Sequence, residues 1–230
     1  MELFTTTSAA HRRAGNCVVV GVYANGKPGR AALDIDEASS GHLTKLIKSG
    51  DISGKEGTTL LLSHVPGVRA SRVLVVGLGK ISKFNIPALR RAVRETASAL
   101  RGSRIRDVVS YLGLEDIGDT SAYYRARYTV EDIGNSLYAF HETKSGRKPP
   151  APALKKIGIA TATRSEATKA RAGAEHGAAI VAGMSLARDL GNLPPNVCTP
   201  AYLARTAQKI GRQHKAVTTR VLNEAEIRRL

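Results

Sequence analysis

Tryptophan is absent from the 230 residues, and the aromatic share is only 4%. A core must therefore be assembled mainly from Val, Leu, Ile and Ala. Cysteine is nearly absent as well: Cys17 and Cys198 lie far apart, and neither belongs to a Cys-x-x-Cys pair. That excludes a cysteine-rich zinc module and a disulfide framework. No stretch reaches the roughly 18 apolar residues of a membrane span, and the polar segment from Met1 to His11 lacks the apolar run of a secretory signal. The expectation is a cytoplasmic protein with no membrane partner. Acidic residues are also scarce, 19 against 35 Lys and Arg, for a net charge of +16. Such an excess favours contact with polyanions through electrostatics that carry little sequence information. A solvated basic surface accounts for it equally well.

What is present is ordinary for a globular chain, with 42% hydrophobic and 23% charged residues. Short β-branched runs alternate with helical spacing. Cys17–Tyr23, ending at the turn signal Asn25-Gly26, reads as a buried strand. Leu33 to Lys48 has the apolar spacing of one helix, closed by Gly50. Thr58–Val65 and Arg72–Gly77 read as strands around the turn at Pro66-Gly67. A helix from about Pro87 to Arg101, a strand at Asp107–Gly113, a helix over Ser121–Phe140 and a strand at Ile157–Ala160 follow. This alternation predicts an α/β domain with a largely buried sheet.

Beyond it, Thr163 and Glu166 form a capping-box signature that opens an Ala-rich helix to about Leu190. Asn192-Leu-Pro-Pro-Asn196 stops that helix. Thr199-Pro200 begins another, running to about His214, and a strand is expected over Val217–Leu222. Asn223 and Glu226 then mark a helix start four residues before Leu230, so the sequence reads as stopping inside a second domain.

The candidate sites are few. Gly77-Leu-Gly79-Lys80 follows a strand, where glycines let backbone N–H groups approach a phosphate. The third glycine of a dinucleotide fingerprint and the Walker spacing are both missing, which leaves a tight turn as the plainer reading. None of the six histidines stands at metal-ligand spacing from another His, Glu or Cys. Ser63 and His64 are adjacent on a strand and point to opposite faces. Asp34, Asp36 and Glu37 fall at an expected loop–helix junction, where carboxylates answer the dipole. Two basic groups remain. Arg90, Arg91, Arg94, Arg101, Arg104 and Arg106 accompany the single acid Glu95, and Lys144, Arg147, Lys148, Lys155 and Lys156 flank a proline-rich loop. The second group is the candidate for tracking the phosphates of double-stranded DNA.

The stretch from Ala187 to Leu203 carries a more specific signal. Arg188, Asp189, Leu190, Asn192, Pro194 and Asn196 fit an Arg/Lys-Asp-Leu-x-Asn-x-Pro-x-Asn run that resembles the leucyl aminopeptidase family. Val18–Val22, Gly57–Pro66 and Arg72–Lys80 resemble the amino-terminal domain of its bacterial members. The resemblance implies a macro-like α/β domain with a mixed sheet flanked by helices over residues 1–162. It places a linker helix at 163–191 and the incomplete start of a second, catalytic α/β domain at 192–230. It implies a metallopeptidase that releases N-terminal, leucine-like residues with two divalent ions, Mn²⁺ or Zn²⁺, and assembles as a homo-hexamer. The family's metal ligands lie partly in an Asn-Thr-Asp-Ala-Glu-Gly-Arg segment, which occurs nowhere in this sequence. The chain by itself is therefore expected to hold no metal and no catalytic residue, and to serve assembly or binding. Some bacterial members bind DNA, which gives the basic surface a role by analogy. A reader of ADP-ribose-like ligands is a further alternative, hinted at only by Gly77–Lys80.

Overall fold

The computed structural model describes residues 1–143 and 152–230. Its centre is a six-stranded sheet in the order β1-β6-β5-β2-β4-β3. The strands are β1 (Glu2–Thr6), β2 (Cys17–Tyr23), β3 (Thr59–Ser63), β4 (Arg72–Gly79), β5 (Asp107–Ser110) and β6 (Lys156–Ala160). Only β3 runs antiparallel to its neighbour. The helices are α1 (Arg30–Ala38), α2 (His42–Ser49), α3 (Ile86–Leu100), α4 (Ala122–Leu137), α5 (Arg164–Asn192), α6 (Pro200–Gln213) and α7 (Glu224–Ile227).

The burial of β2 shows why a parallel sheet forms. Every residue from Cys17 to Tyr23 is buried, as expected for a strand covered on both faces. Val18, Val20 and Val22 point into a cluster with Ala32, Ile35 and Leu43 of α1 and α2. Val19 and Tyr23 point the other way, toward Leu89, Val93, Val130 and Ile133 of α3 and α4. The alternation of successive Cβ atoms thus separates two cores, one on each face.

Several elements differ from the sequence-based expectation. Leu33–Lys48 is not one helix: Ser40 and Gly41 adopt φ of 55° and 78°, a left-handed step that ends α1 and restarts the chain as α2. The strand from Asp107 stops at Ser110, and a 3₁₀ turn at Leu112–Leu114 follows. Glu2–Thr6, to which no element had been assigned, is a sheet edge whose Leu3 and Phe4 pack on opposite cores. Val217–Leu222 forms no strand, because no other strand lies beside it among the described residues; instead the Thr219 hydroxyl donates to Ala207 O at 3.0 Å.

The described residues group into two compact units. One holds 1–138 and 152–183 and contains the whole sheet. The other holds 139–143 and 184–230. Within the first, α5 buries only Ala170, Gly173, Ala174 and Gly177, a stripe of small residues at helical spacing. In the second, Asn223 and Glu226 make the reciprocal capping bonds that the sequence announces for α7.

Candidate functional site

Open parallel sheets take ligands at the carboxyl ends of their strands, so that edge of the first unit is the place to look. There β2 ends in Tyr23, whose hydroxyl donates to Glu115 Oε2 at 3.0 Å. Glu115 Oε1 accepts the N–H of Arg30, the first residue of α1, also at 3.0 Å. The residue before α1 is Gly29, which offers no side-chain cap. A Cβ at Gly29 would come within 2.3 Å of Glu115 Oε1, so glycine is required for this approach. Burial pushes the Glu115 carboxyl above its usual range, against the lowering effect of the Tyr23 and Arg30 bonds. Burial and the neighbouring Glu115 likewise push the Tyr23 hydroxyl up.

A helix N-terminus here is a natural anion site, and the protein fills it with its own carboxylate. No side chain caps the start of α4, but two other helices are closed by their own side chains. Asn85 Oδ1 accepts the Ala88 N–H at the start of α3. At α5, Thr163 and Glu166 accept from Glu166 N–H and Ala162 N–H. Gly77, Leu78 and Gly79 belong to β4 rather than to the expected tight turn, and the N–H groups of Gly77 and Gly79 donate to Thr58 O and Gly54 O. A cavity at this edge, lined by Arg30, Arg125, Thr161 and Glu166 among others, has a volume of about 70 Å³. Ligand pockets commonly measure roughly 300–1,000 Å³, so this space suits a few waters. A second space at the same edge, about 310 Å³, is lined by Ala24, Asn25, Lys80, Ile81 and Ser82.

The first basic group is rearranged by the fold. Arg90 makes a two-pronged bond to Asp132 at 2.7 and 3.1 Å, and Arg94 reaches the same carboxylate at 3.4 Å. Arg91 pairs with Glu56 at 3.1 Å, and Arg127 with Glu131 at 2.6 Å. Arg90 also lies over the Tyr128 ring, 4.7 Å from its centroid. Arg90 and Arg94 fasten α3 to α4, Arg91 ties α3 to the loop before β3, and the Arg127 pair lies within α4. Sequence reasoning, which set only Glu95 against them, missed the partners because Asp132 stands 42 positions away from Arg90.

In the second group, Lys144, Arg147 and Lys148 lie outside the described residues. Lys155 is exposed, and Lys156 pairs with Glu2 at 2.7 Å. Both lysine N–H groups donate to Arg106 O, which sets Arg106 beside them. The carboxylates expected at a junction stand within α1. Asp34 accepts from Ala10 N–H at 3.2 Å, and Asp36 accepts the N–H and hydroxyl of Thr44 at 2.8 and 2.5 Å, starting α2. His64 lies just past β3 rather than on it, at φ of 53°. His176 shares a 2.8 Å bond with the Tyr123 hydroxyl. Among the described residues, no group of three or more His, Cys, Asp or Glu side chains could hold a metal ion.

In the second unit, Arg188, Asp189 and Leu190 occupy the last turns of α5, and Asn192 is its final residue. Pro194 O accepts the N–H groups of Val197 and Cys198, both at 2.9 Å, which closes the turn. Asn196 is exposed within it. Thr199 then caps α6 through the Tyr202 N–H. Leu186, Leu190, Leu193, Val197, Tyr202 and Ile210 line a groove of about 530 Å³, rimmed by charged Asp189, Arg205 and Lys209. The family-like run thus builds a helix–turn–helix corner, and no nucleophile–base pair stands in it.

The model of the cytosol aminopeptidase family's N-terminal domain matches residues 19–147, more than half of the chain. The chain belongs to the cytosol aminopeptidase family. Among curated members, the "Probable cytosol aminopeptidase" of Paraburkholderia phytofirmans is 44% identical over 211 residues, 92% of this chain and 41% of that one. Its counterpart in Tolumonas auensis is 34% identical over all 230 residues, 46% of its own length. The chain therefore spans less than half the length of the curated relatives it matches. A solved tomato leucine aminopeptidase mutant shares the fold with a TM-score of 0.79 and 21% identity, over the whole chain and 46% of that structure. The bottromycin maturation enzyme BotP follows at a TM-score of 0.70 and 22% identity, over 94% of this chain and 41% of its own. The family match ends before Arg188, so it does not bear on the Arg188–Asn196 run. This chain carries the family's N-terminal domain, a six-stranded mixed α/β fold. No helix among its described residues is long and apolar enough to cross a membrane.

Proposed function

We propose that the chain is the amino-terminal domain (1–162), linker helix (163–191) and catalytic-domain entry (192–230) of a leucyl aminopeptidase. The longer protein would be a cytoplasmic homo-hexamer that removes leucine-like residues from peptide N-termini with two divalent ions, Mn²⁺ or Zn²⁺. The observation that carries this reading is the alignment of aminopeptidase relatives along 92–100% of the chain, while the chain covers only 41–46% of theirs. A solved BotP structure is described in complex with Mn. The side chains described here do not fit such a pair of ions, so no catalytic step is assigned to them. Their part is assembly or binding: Arg188–Asn196 shape the corner between α5 and α6.

The test is an assay of the 230-residue chain on leucine p-nitroanilide with added Mn²⁺ or Zn²⁺. No turnover is expected until the remaining segment, carrying the metal ligands, is supplied. Metal-dependent turnover by this chain alone would overturn the reading.

Double-stranded DNA is a second partner, favoured by the net charge of +16 and by the grouping of Arg106 with Lys155 and Lys156. Mobility shift of a duplex across a salt series is the measurement. Neutralising Arg147, Lys148, Lys155 and Lys156 together should weaken binding and flatten its salt slope. Binding that ignores these four changes excludes the surface.

A further inference from the structure

Strand β3 ends the sheet, and its outer side meets no other strand among the described residues. The ladder to β4 runs through alternate residues: Gly77 N–H donates to Thr58 O at 2.9 Å and His64 N–H to Ser71 O at 3.1 Å. In an antiparallel pair that alternation leaves the N–H and C=O groups of Thr59, Leu61 and Ser63 directed away from β4. No backbone bond from another described element reaches them. Leu61 is 39% exposed, while Leu60 and Leu62 pack partly into the core under α1 and α2.

Exposed edges are usually blunted by a lysine, a proline or a bulge, and β3 has none of these. From Gly57 to Val68 the chain contains no charged side chain. In a protein of +16, that is where two copies can approach without like charges facing each other. The strand is also its own complement. Thr59-Leu60-Leu61-Leu62-Ser63 keeps the same polar-apolar-polar order when read backwards. The opposite edge, β1, begins with Glu2 in an ion pair to Lys156 and lacks this symmetry.

We propose that β3 is a homotypic docking edge, pairing antiparallel with β3 of a second copy about a two-fold axis at Leu61. Thr59 then faces the other copy's Ser63, Leu60 faces Leu62 and Leu61 faces itself. The outward groups of Thr59, Leu61 and Ser63 exchange bonds with their counterparts. The contact is isologous, the form in which one patch serves both partners. Five-residue strands bury little surface, so the pairing is weak and concentration-dependent. It does not depend on the aminopeptidase reading.

Light scattering across a concentration series should show the 24.4 kDa chain rising toward twice its mass. Leu61→Lys should hold it at the monomer mass with unchanged circular dichroism. Facing residues in a hydrogen-bonded antiparallel pair have Cα atoms about 5.5 Å apart, within disulfide range. In a Cys198→Ser background, Leu61→Cys should therefore cross-link to itself under mild oxidation. Thr59→Cys and Ser63→Cys should each stay monomeric, yet cross-link when mixed. A chain that remains 24.4 kDa with no Leu61→Cys dimer overturns the proposal. A dimer that survives Leu61→Lys, showing that another surface or an unrelated partner strand is at work, overturns it equally.

Discussion

Glu115 shows how one residue can decide what a fold will not bind. Its carboxylate satisfies the Arg30 N–H and the Tyr23 hydroxyl together. Glu115→Ala leaves both donors buried and unpaired, an expected loss of about 1–3 kcal/mol in urea unfolding. The pH dependence has a definite sign. Burial raises the folded-state carboxyl, while the unfolded glutamate titrates near ~4.3. The folded chain therefore holds that proton more tightly. The contribution is complete below the unfolded value and is lost as pH rises through the raised folded value. Unfolding stability of wild type minus Glu115→Gln should fall across that window; a flat difference contradicts it. Asp132 is the second decisive residue, holding Arg90 and Arg94. Asp132→Ala should cost about 1.5–3 kcal/mol, the range for bonds to charged groups, with Asp132→Asn recovering part by the same denaturant midpoint. Neither network was legible in the sequence, since each joins residues tens of positions apart. The cationic side of the second was visible; its acidic side was not.

At the scale of elements, periodicity and caps carried most of the assignment. The buried run at Cys17–Tyr23, the Thr163 cap and the Asn223–Glu226 box were all readable because they are local. The break between α1 and α2 was signalled by Ser40-Gly41, a turn dipeptide, but the apolar spacing that continues across it reads as a single helix. Val217–Leu222 has strand-forming residues but, among the described residues, no strand to join, and tertiary context overrides propensity there. Helix α5 offers a direct comparison of two glycines. A Cβ at Gly173 would lie 2.1 Å from Tyr123 O, whereas one at Gly183 meets nothing within 4 Å. Alanine is favoured over glycine in a helix by about 1 kcal/mol, and overpacking costs typically 1–3 kcal/mol. Gly183→Ala should therefore stabilise the chain slightly and Gly173→Ala should destabilise it, as thermal midpoints will show.

For the whole molecule, the two units differ in how much they bury. Helix α3 buries Leu89, Val93, Ala97 and Leu100 among others, whereas α6 buries no residue and leaves Leu203 46% exposed. Few buried apolar contacts mean low local stability. Amide exchange should accordingly be fast over residues 200–213 and slow over 86–100; equal protection would show that α6 is held by something else. The α/β class was legible from strand–helix alternation, because each βα step is encoded within some thirty residues. The sheet order was not legible, since pairing β1 with β6 unites the two ends of the first unit.

The sealed position of Cys17 has a practical consequence. Within β2, burial pushes its thiol up to about 12, and the nucleophilic thiolate is then scarce at neutral pH. Cys198 sits half-buried in the turn before α6. Nature has thus left one natural clock in each unit. An alkylating reagent should consume the first thiol only as fast as the sheet opens, and the second on the timescale of the corner. Mass-resolved labelling then times the two openings separately, with no engineered probe.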